Sequence, residues 1–295
     1  MTRLFTLEAG VIRLKGDDTR RFLNSMLTNN FRDLSVGDGN HNAITDRKGK
    51  VEGLLSGYMV AEDEALLVLD GMDVDWTLDR LDMYIIMDPI DLTLVTTRVV
   101  SVQGPDAASV LDAAGLPVPE VAVAAFEGGH VLRNARVDTV GFDVIGASEV
   151  HEELVAKLSE SGANHATFDD FEGLRVRRGL PAFPQDMGQR ALPHELGLRD
   201  RILSFKKGCY MGQEVINRLE NMGKLNRRLV RVRMDSAAQP GPVTVGEDAV
   251  GELTSIGTID GEVWGLGLLR SGAWEPGVRI DRGGVGGTVD PSTTT

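Results

Sequence analysis

The chain has 295 residues, 42% of them apolar and 25% charged, so it is long enough for about two globular domains and too apolar to be disordered. Its only cysteine excludes an internal disulfide and any metal site built from several cysteines. Its apolar runs are far shorter than the ~18 residues of a membrane helix. Residues 1–8 lack the apolar core of a secretory signal, so we expect a cytoplasmic protein with no membrane segment.

The charge is acidic overall but uneven along the chain. Acidic residues outnumber basic ones by 44 to 31, which gives a net charge of −13 and disfavours strong binding of nucleic acid, because phosphates would be repelled. Residues 199–233 are the exception, with ten basic and three acidic side chains. That stretch indicates either a solvated face whose charges meet acidic neighbours or the wall of a pocket for an anionic ligand.

The first elements in chain order are a strand, a helix and a hairpin. Residues 11–14 are largely apolar and predict a strand, and Asp17 is placed to cap a helix that runs to about Asn30. Residues 51–60 and 64–69 predict the two strands of a hairpin, because a short polar turn separates them.

A second helix and a long strand follow the hairpin. The helix is expected from Val74 to about Ile86, and residues 92–102 are rich in threonine and valine, which is typical of a strand. A short helix after Pro105 should end at Gly115. The buried stripe expected for the helix that begins at Val74 consists of Trp76, Leu81, Tyr84 and Ile85.

The middle of the chain again mixes strands and helices. Residues 131–133 and 142–145 predict strands. Ser148 is placed to cap a helix through Leu158, and Thr167 to cap another that stops at residues 179–181. Strands and helices therefore alternate with hairpins, which predicts an α+β fold up to about residue 222.

The pattern changes to all-β near residue 229. Residues 229–234 alternate in polarity, and short apolar runs separated by glycine-rich turns follow them, which predicts a small barrel. We interpret the glycine-rich residues 283–287 as a loop and residues 288–295 as a frayed tail.

One segment, residues 206–214, combines the groups needed for thiol chemistry. Cys209 lies between Gly208 and Gly212 and two residues after Lys207, and a helix is expected to begin soon after it. A nearby ammonium group and the N-terminus of a helix would favour the thiolate. The alternative is that Cys209 is a small buried apolar residue and Lys207 points to water.

The same segment carries a family resemblance. Lys207-Gly208-Cys209-Tyr210 followed by Gly212-Gln213-Glu214 and then Arg218 resembles the signature of the YgfZ-type folate-binding proteins. These are relatives of the glycine-cleavage aminomethyltransferases and of a mitochondrial iron–sulfur assembly factor. The resemblance continues through residues 16–18, 49–51, 178–181, 192–195 and 251–257.

The resemblance implies a fold, a ligand and a set of site residues. The fold is a three-lobed α+β ring around a central pocket for tetrahydrofolate or a derivative, formed by residues 1–222 in two lobes and a C-terminal β-barrel at 223–295. Cys209 is the implied reactive thiol, and Lys207 is the residue that lowers its pKa. No metal ligands are implied, and the implied cofactor-binding residues are Glu195, Tyr210, Gln213, Glu214 and Arg218.

Three departures from the aminomethyltransferase pattern concern the folate site. Glu52 and Gly53 stand where those enzymes carry a pair of aspartates, and Arg177 stands where they carry a glutamate that contacts the pterin. Asp70-Gly71 replaces an asparagine–alanine pair. The changes at residues 52–53 and 177 disfavour aminomethyl transfer, because the first removes the expected general acid, and the second also weakens the implied folate binding.

Three functional hypotheses remain open at this point. The leading one is a folate-binding accessory protein that supports iron–sulfur cluster assembly or repair and the tRNA modification that depends on it, with the assembly machinery or client enzymes as partners. The alternative is a tetrahydrofolate-dependent aminomethyl or methyl transferase. The third is an interaction scaffold with a vestigial pocket.

Overall fold

The computed structural model describes residues 1–86, 89–147, 150–187 and 191–290. The predicted cap Ser148 and the last five residues of the predicted tail lie outside these ranges. The strands of the described chain are β1 (Arg3–Lys15), β2 (Gly39–Thr45), β3 (Val51–Ala61), β4 (Glu64–Asp70), β5 (Asp91–Gln103), β6 (Val123–Phe126), β7 (Gly129–Arg133), β8 (Gly141–Gly146), β9 (Asn164–His165), β10 (Arg227–Met234), β11 (Gly241–Val245), β12 (Asp248–Ile259), β13 (Glu262–Arg270), β14 (Arg279–Arg282) and β15 (Val285–Val289). Its helices are α1 (Thr19–Met26), α2 (Val74–Asp82), α3 (Ala107–Ala113), α4 (His151–Glu160), α5 (Phe168–Arg178), α6 (Arg199–Ile202) and α7 (Gln213–Met222), with one 3-10 turn at Gln185–Met187.

The predicted α+β class and C-terminal barrel are confirmed. The first sheet has the strand order β2-β3-β4-β1-β5-β8-β7-β6, with β9 added beside β1, and strands β10 to β15 close into a six-stranded barrel. The predicted hairpin is present as antiparallel β3 and β4. Residues 285–287, interpreted as loop, and residues 288–289, interpreted as frayed tail, instead form β15, because they pair with both β14 and β10 to close the barrel.

The first two helices are shorter than predicted. Helix α1 has Asp18, not Asp17, at its N-cap, and it ends at Met26 rather than near Asn30. Asn24 lies in the last turns of α1, and its side chain accepts a hydrogen bond at 3.0 Å from the N–H of Phe31, which lies beyond the end of the helix. Asparagine side chains offer the backbone such alternatives to the helical ladder, which accounts for the early stop.

Helix α2 buries a different stripe from the predicted one. Leu81 is buried as expected, but Trp76 is 40% exposed and Thr77 is buried in its place. Trp76 and Leu81 are five positions apart in the sequence, and on a helix this spacing turns the two side chains about 140° apart. A single buried stripe therefore cannot contain both.

The first sheet is buried on both faces because it curls onto itself. Val100 and Val102 of β5 face a core made with α3 and α4. Val99, on the opposite face, packs in a second core that joins β3 and β4 to β7 and β8. These strands lie near opposite ends of the sheet order, and the Tyr58 hydroxyl of β3 donates to the Arg133 carbonyl of β7 at 3.2 Å.

A buried ion-pair cluster joins the two sides of this inner face. Arg136 binds Asp143 of β8 at 2.8 Å and also binds Asp70 at the end of β4. Asp143 is fully buried and also accepts a hydrogen bond from Asn134 at 2.8 Å. Burial by itself would lower the pKa of Arg136, but the two carboxylates outweigh it and raise that pKa, so the guanidinium stays charged.

By packing, the chain divides into two compact units. Unit 1 contains residues 1–44, 53–167 and 204–211, and unit 2 contains residues 45–52, 168–203 and 212–295. The domain boundary expected after residue 222 stays a prediction. None of the described helices is both long enough and apolar enough to cross a membrane.

Unit 2 is organised around the closed barrel. Its apolar core draws on Val232 of β10 and Leu253 of β12, both almost completely buried. Helix α5 lies directly against β12, since a Cβ added at Gly257 would sit 2.7 Å from the Cα of Gly173. Glycine at both positions therefore permits the helix and the strand to meet backbone to backbone.

Replacement of Arg136 by methionine should destabilise the protein strongly. The change leaves the fully buried Asp143 without its cation, which typically costs about 3–5 kcal/mol of unfolding free energy. Urea unfolding at neutral pH would measure this loss. Arg98→Met is the matched control, because Arg98 is half-exposed and faces Glu8 and Glu152 at 3.5 and 3.9 Å. It should cost about 0–1 kcal/mol. Equal costs for the two variants would contradict the structural role of the cluster.

Candidate functional site

The predicted thiol lies on a segment of unit 1 that is tied to the end of helix α1. We call residues 204–211 the thiol segment. The Ser204 N–H donates to the Thr28 carbonyl at 3.1 Å. The Lys207 ammonium group donates to the Asn29 carbonyl at 3.0 Å and also to the Leu27 carbonyl. Ser204 and Lys207 therefore both anchor the thiol segment to residues 27–29, at the end of helix α1.

Lys207 occupies a helix-capping position. Leu27 is the C-cap of α1, where carbonyl oxygens have no partner within the helix and the macrodipole is negative. The ammonium group also lies 5.0 Å from the centre of the Tyr210 ring. Burial lowers the pKa of Lys207 to about 7, whereas the two carbonyls and the ring favour its charged form. The lysine therefore holds the segment as well as adding charge to it.

Cys209 is exposed. Its thiol has no hydrogen-bond partner among residues 1–86, 89–147, 150–187 and 191–290. Cys209 is therefore not the small buried apolar residue of the alternative prediction. Lys207 directs its hydrogen bonds to backbone carbonyls, and its predicted effect on the thiol, like the catalytic role of both residues, stays a prediction.

Tyr210 provides a buried polar group with no internal partner. Its side chain is 7% exposed, and its hydroxyl makes no hydrogen bond within the described part of the chain. Burial raises the pKa of Tyr210 to about 12, so the hydroxyl keeps its proton and remains a donor at neutral pH. Buried polar groups are normally paired, so this orphan points to an acceptor supplied by a ligand or by water.

Helix α2 meets the other end of the thiol segment. The Arg80 guanidinium lies 3.4 Å from the Met211 sulfur and 5.4 Å from the centre of the Tyr84 ring. The sequence did not predict that Arg80 or the carbonyls of Leu27 and Asn29 contact the thiol segment. A backbone carbonyl leaves no sequence signal, and Arg80 lies far along the chain from residue 211.

In unit 2, Glu195 is the centre of its own ion-pair cluster. Its carboxylate is 8% exposed and accepts hydrogen bonds from Arg227 at 2.9 Å and from the Leu192 N–H at 2.8 Å. The Lys50 ammonium group lies 3.7 Å from the Oε2 atom of the same carboxylate. A folate donor would therefore have to share this carboxylate with protein partners. The predicted contact of Glu195 with a pterin stays a prediction.

The residues after the thiol segment form the start of helix α7. Gly212 is its N-cap in the left-handed conformation, and a Cβ there would lie 2.3 Å from the Asp46 carbonyl, so glycine is required. Gly208 has no such need, because the nearest atom would be 3.9 Å from an added Cβ. Glu214 and Arg218 are exposed one turn apart and Gln213 is half-buried. Nothing in the geometry of unit 2 assigns these three residues a ligand.

Much of the basic stretch is neutralised within the fold. Arg199 pairs with Glu220, whose pKa is lowered to about 2 by hydrogen bonds from Arg199 and then His194. The further arginines paired with acids are Arg227 with Glu195, Arg231 with Asp290 and Arg233 with Glu262. For this part of the stretch, the pairs support the interpretation in which the basic charges meet acidic neighbours in the fold.

Two of the departures from the aminomethyltransferase pattern have structural roles. A Cβ at Gly53 would lie 2.3 Å from the Met72 methyl carbon, and Met72 is itself buried, so a carboxylate there has no room unless Met72 moves. Arg177 binds Asp260 at 2.7 Å and so ties α5 to the turn between β12 and β13. Among the residues that the structure describes, no cluster of His, Cys, Asp or Glu could hold a metal ion.

Comparison with known proteins places the chain in a family. The GCVT N-terminal domain matches residues 7–207. The chain belongs to the GCVT N-terminal domain family. Its fold is that of the glycine cleavage system aminomethyltransferase T of Bartonella henselae, with a TM-score of 0.88, 18% identity, and coverage of 98% of this chain and 86% of that one.

Two curated relatives extend the comparison within the GCVT family. The "Putative transferase At1g60990, chloroplastic" of Arabidopsis thaliana is 27% identical over 282 residues, or 90% of this chain, and the chain spans 64% of that protein's length. An aminomethyltransferase of Bacillus mycoides is 26% identical over 265 residues, covering 83% of this chain and 72% of its own.

The burial of Lys207 predicts a pH dependence of stability. Its pKa is about 7 in the folded protein, below the ordinary value of 10.5, so the unfolded chain binds more protons between these two values. Unfolding free energy should therefore rise as the pH increases from 7 to 9. Lys207→Met removes this titration. The unfolding free energy of the wild type minus that of the variant should therefore increase from pH 7 to pH 9. A constant difference would show that Lys207 titrates normally.

Proposed function

We propose that this GCVT-family protein is a folate-binding accessory protein that supports iron–sulfur cluster assembly or repair, and with it the tRNA modification that depends on clusters. Cys209 is the reactive thiol in this proposal. The observation that carries it is an exposed cysteine on a segment held in place by a half-buried lysine. The link to iron–sulfur clusters rests on the resemblance of residues 207–218 to the YgfZ-type signature.

A single thiol limits what the chain does by itself. Iron–sulfur clusters normally need about four protein ligands, and Cys209 is the only cysteine of the chain. In this proposal the thiol shares a cluster, or a fragment of one, with a partner protein or a small thiol. The assembly machinery or client enzymes are therefore the proposed partners.

Folate binding draws on Tyr210. Tetrahydrofolate presents carbonyl and carboxylate oxygens, and the buried Tyr210 hydroxyl is a donor that lacks an acceptor within the described chain. The hydroxyl therefore fits such a ligand, whereas the Glu195 carboxylate already has protein partners. Gln213, Glu214 and Arg218 stay predicted cofactor-binding residues.

One-carbon transfer is the second candidate function. The names of the Arabidopsis and Bacillus relatives favour it. The glycine at position 53 disfavours it, because that position offers no carboxylate to act as general acid. Turnover of an aminomethyl or methyl donor with tetrahydrofolate would establish the transferase and overturn the accessory role as the primary one.

Calorimetric titration with tetrahydrofolate tests the ligand. We expect micromolar binding, near −8 kcal/mol. Tyr210→Phe should weaken it by about 2- to 13-fold, the range for one neutral hydrogen bond of ~0.5–1.5 kcal/mol. Tyr84→Phe is the matched control and should bind like wild type. If the parent does not bind folate at all, the family fold persists here without its ligand, as in the scaffold hypothesis.

Complementation tests the thiol. In a strain lacking the gene, Cys209→Ser should fail to restore the activity of a cluster-dependent tRNA-modifying enzyme, because the nucleophile is lost. Gly208→Ala, where an added Cβ meets nothing closer than 3.9 Å, should restore it and controls for local disturbance of the segment. Full complementation by Cys209→Ser would remove the thiol from the proposal.

A further inference from the structure

Helix α2 exposes a face that combines two stripes of different chemistry. Asp75, Asp79 and Asp82 follow each other at spacings of four and three residues, so they line one side of the helix, and all three are exposed. Trp76 and Met83, seven residues apart, form the second stripe beside the first. Their exposures are 40% and 67%, which is high for two large apolar side chains on one face.

Packing fixes which way this face points. Thr77 and Leu81 are buried on the opposite side, so the aspartates and Trp76 cannot rotate inward without unseating the helix. Arg80, the cation of α2, contacts the Met211 sulfur and the Tyr84 ring.

The acidic stripe has no cation of its own. Within the described ranges, Asp75, Asp79 and Asp82 form no ion pair. Like charges one turn apart destabilise a helix, so the stripe costs stability in the free protein. A partner that brings cations to it would relieve this repulsion.

We propose that this face of α2 is a docking surface for a basic amphipathic protein segment. The fitting partner carries Lys or Arg at helical spacing opposite the three aspartates and an apolar residue that covers Trp76 and Met83. Tryptophan is enriched among residues that dominate interface energies, because one side chain buries a large apolar area. The charge complementarity selects the partner and the tryptophan anchors it.

The same charges exclude other occupants of the surface. Nucleic acid and anionic membranes carry the same sign as the stripe and would be repelled. A second copy of this chain has a net charge of −13, which opposes self-association at long range.

The position of the surface gives it a use. Through the contact of Arg80 with Met211, α2 adjoins the thiol segment inside unit 1. A segment bound on α2 would therefore bring its protein close to Cys209. The docking surface itself goes beyond the proposed function and would persist if that function were wrong.

Fluorescence anisotropy of a labelled peptide tests the surface. The probe is a 14-residue helical peptide of leucine and lysine, and an equivalent peptide of leucine and glutamate is its control. We expect the basic peptide to bind the full-length protein and the acidic one not to bind. The triple variant Asp75→Asn, Asp79→Asn, Asp82→Asn and the single variant Trp76→Ala should each weaken binding at least tenfold.

A matched variant separates docking from general attraction to an acidic protein. Glu152→Gln, Glu153→Gln, Glu160→Gln removes the same charge from the exposed face of α4 and should leave binding within twofold of wild type. Equal weakening by the α4 and α2 triples, or no weakening by the α2 triple, would overturn the proposal. So would a dimer of the wild type that Trp76→Ala dissolves in sedimentation, since the occupant would then be a second copy.

The α2 variants should remain folded. Asp75 lies in the first turn, where its charge is favourable to the helix dipole, and Asp82 lies at the other end, where it is unfavourable, so their removal nearly cancels. The N-cap Asp73, which accepts from the Trp76 N–H at 2.8 Å, is left unchanged. If the triple variant nevertheless fails to fold, Trp76→Ala and Met83→Ala carry the test, and binding undiminished in both would overturn the proposal.

Discussion

The buried guanidinium of Arg136 is the constraint on which unit 1 depends. A charge inside a protein must be paired, and here the pairs reach Asp143 on β8 and Asp70 on β4. The ion pairs therefore hold the two sides of the curled sheet at one separation. Directly after Asp70 the chain places Met72 against Gly53 and then begins helix α2. The ion pair of Arg136 with Asp70 therefore fixes the end of β4 from which the chain continues into Met72 and helix α2.

The GCVT fold is retained here with altered chemistry at several positions. Where the aminomethyltransferase pattern has carboxylates, this chain has a glycine packed under Met72 and an arginine paired with Asp260. Both replacements are integrated into the packing of their own units. The fold by itself therefore does not fix the reaction, because function lies in the site and not in the architecture. In the described part of the chain, the Cys209 thiol and the Tyr210 hydroxyl are among the polar groups without a hydrogen-bond partner.

Sequence patterns predicted those elements whose signals are local. The hairpin of β3 and β4 and the alternating β10 were recognisable because side chains of a strand alternate with a period of two. Strands β2 and β6 were missed, since they are short or polar and depend on their neighbours in the sheet. The predicted α2 stripe was wrong at Trp76, because apolar character by itself does not say which side of a helix faces the core.

For the candidate site, the sequence by itself determined which groups are available: one cysteine, a lysine two residues before it, and a glycine at 212 that the close approach of Asp46 requires. Composition and spacing are properties of the chain and need no fold. Only the tertiary structure decided what these groups contact. It placed the Lys207 ammonium on carbonyls about 180 residues earlier in the chain, exposed the thiol and buried the tyrosine beside it. Backbone carbonyls are the same at every residue, so no sequence pattern can identify which of them a lysine will find.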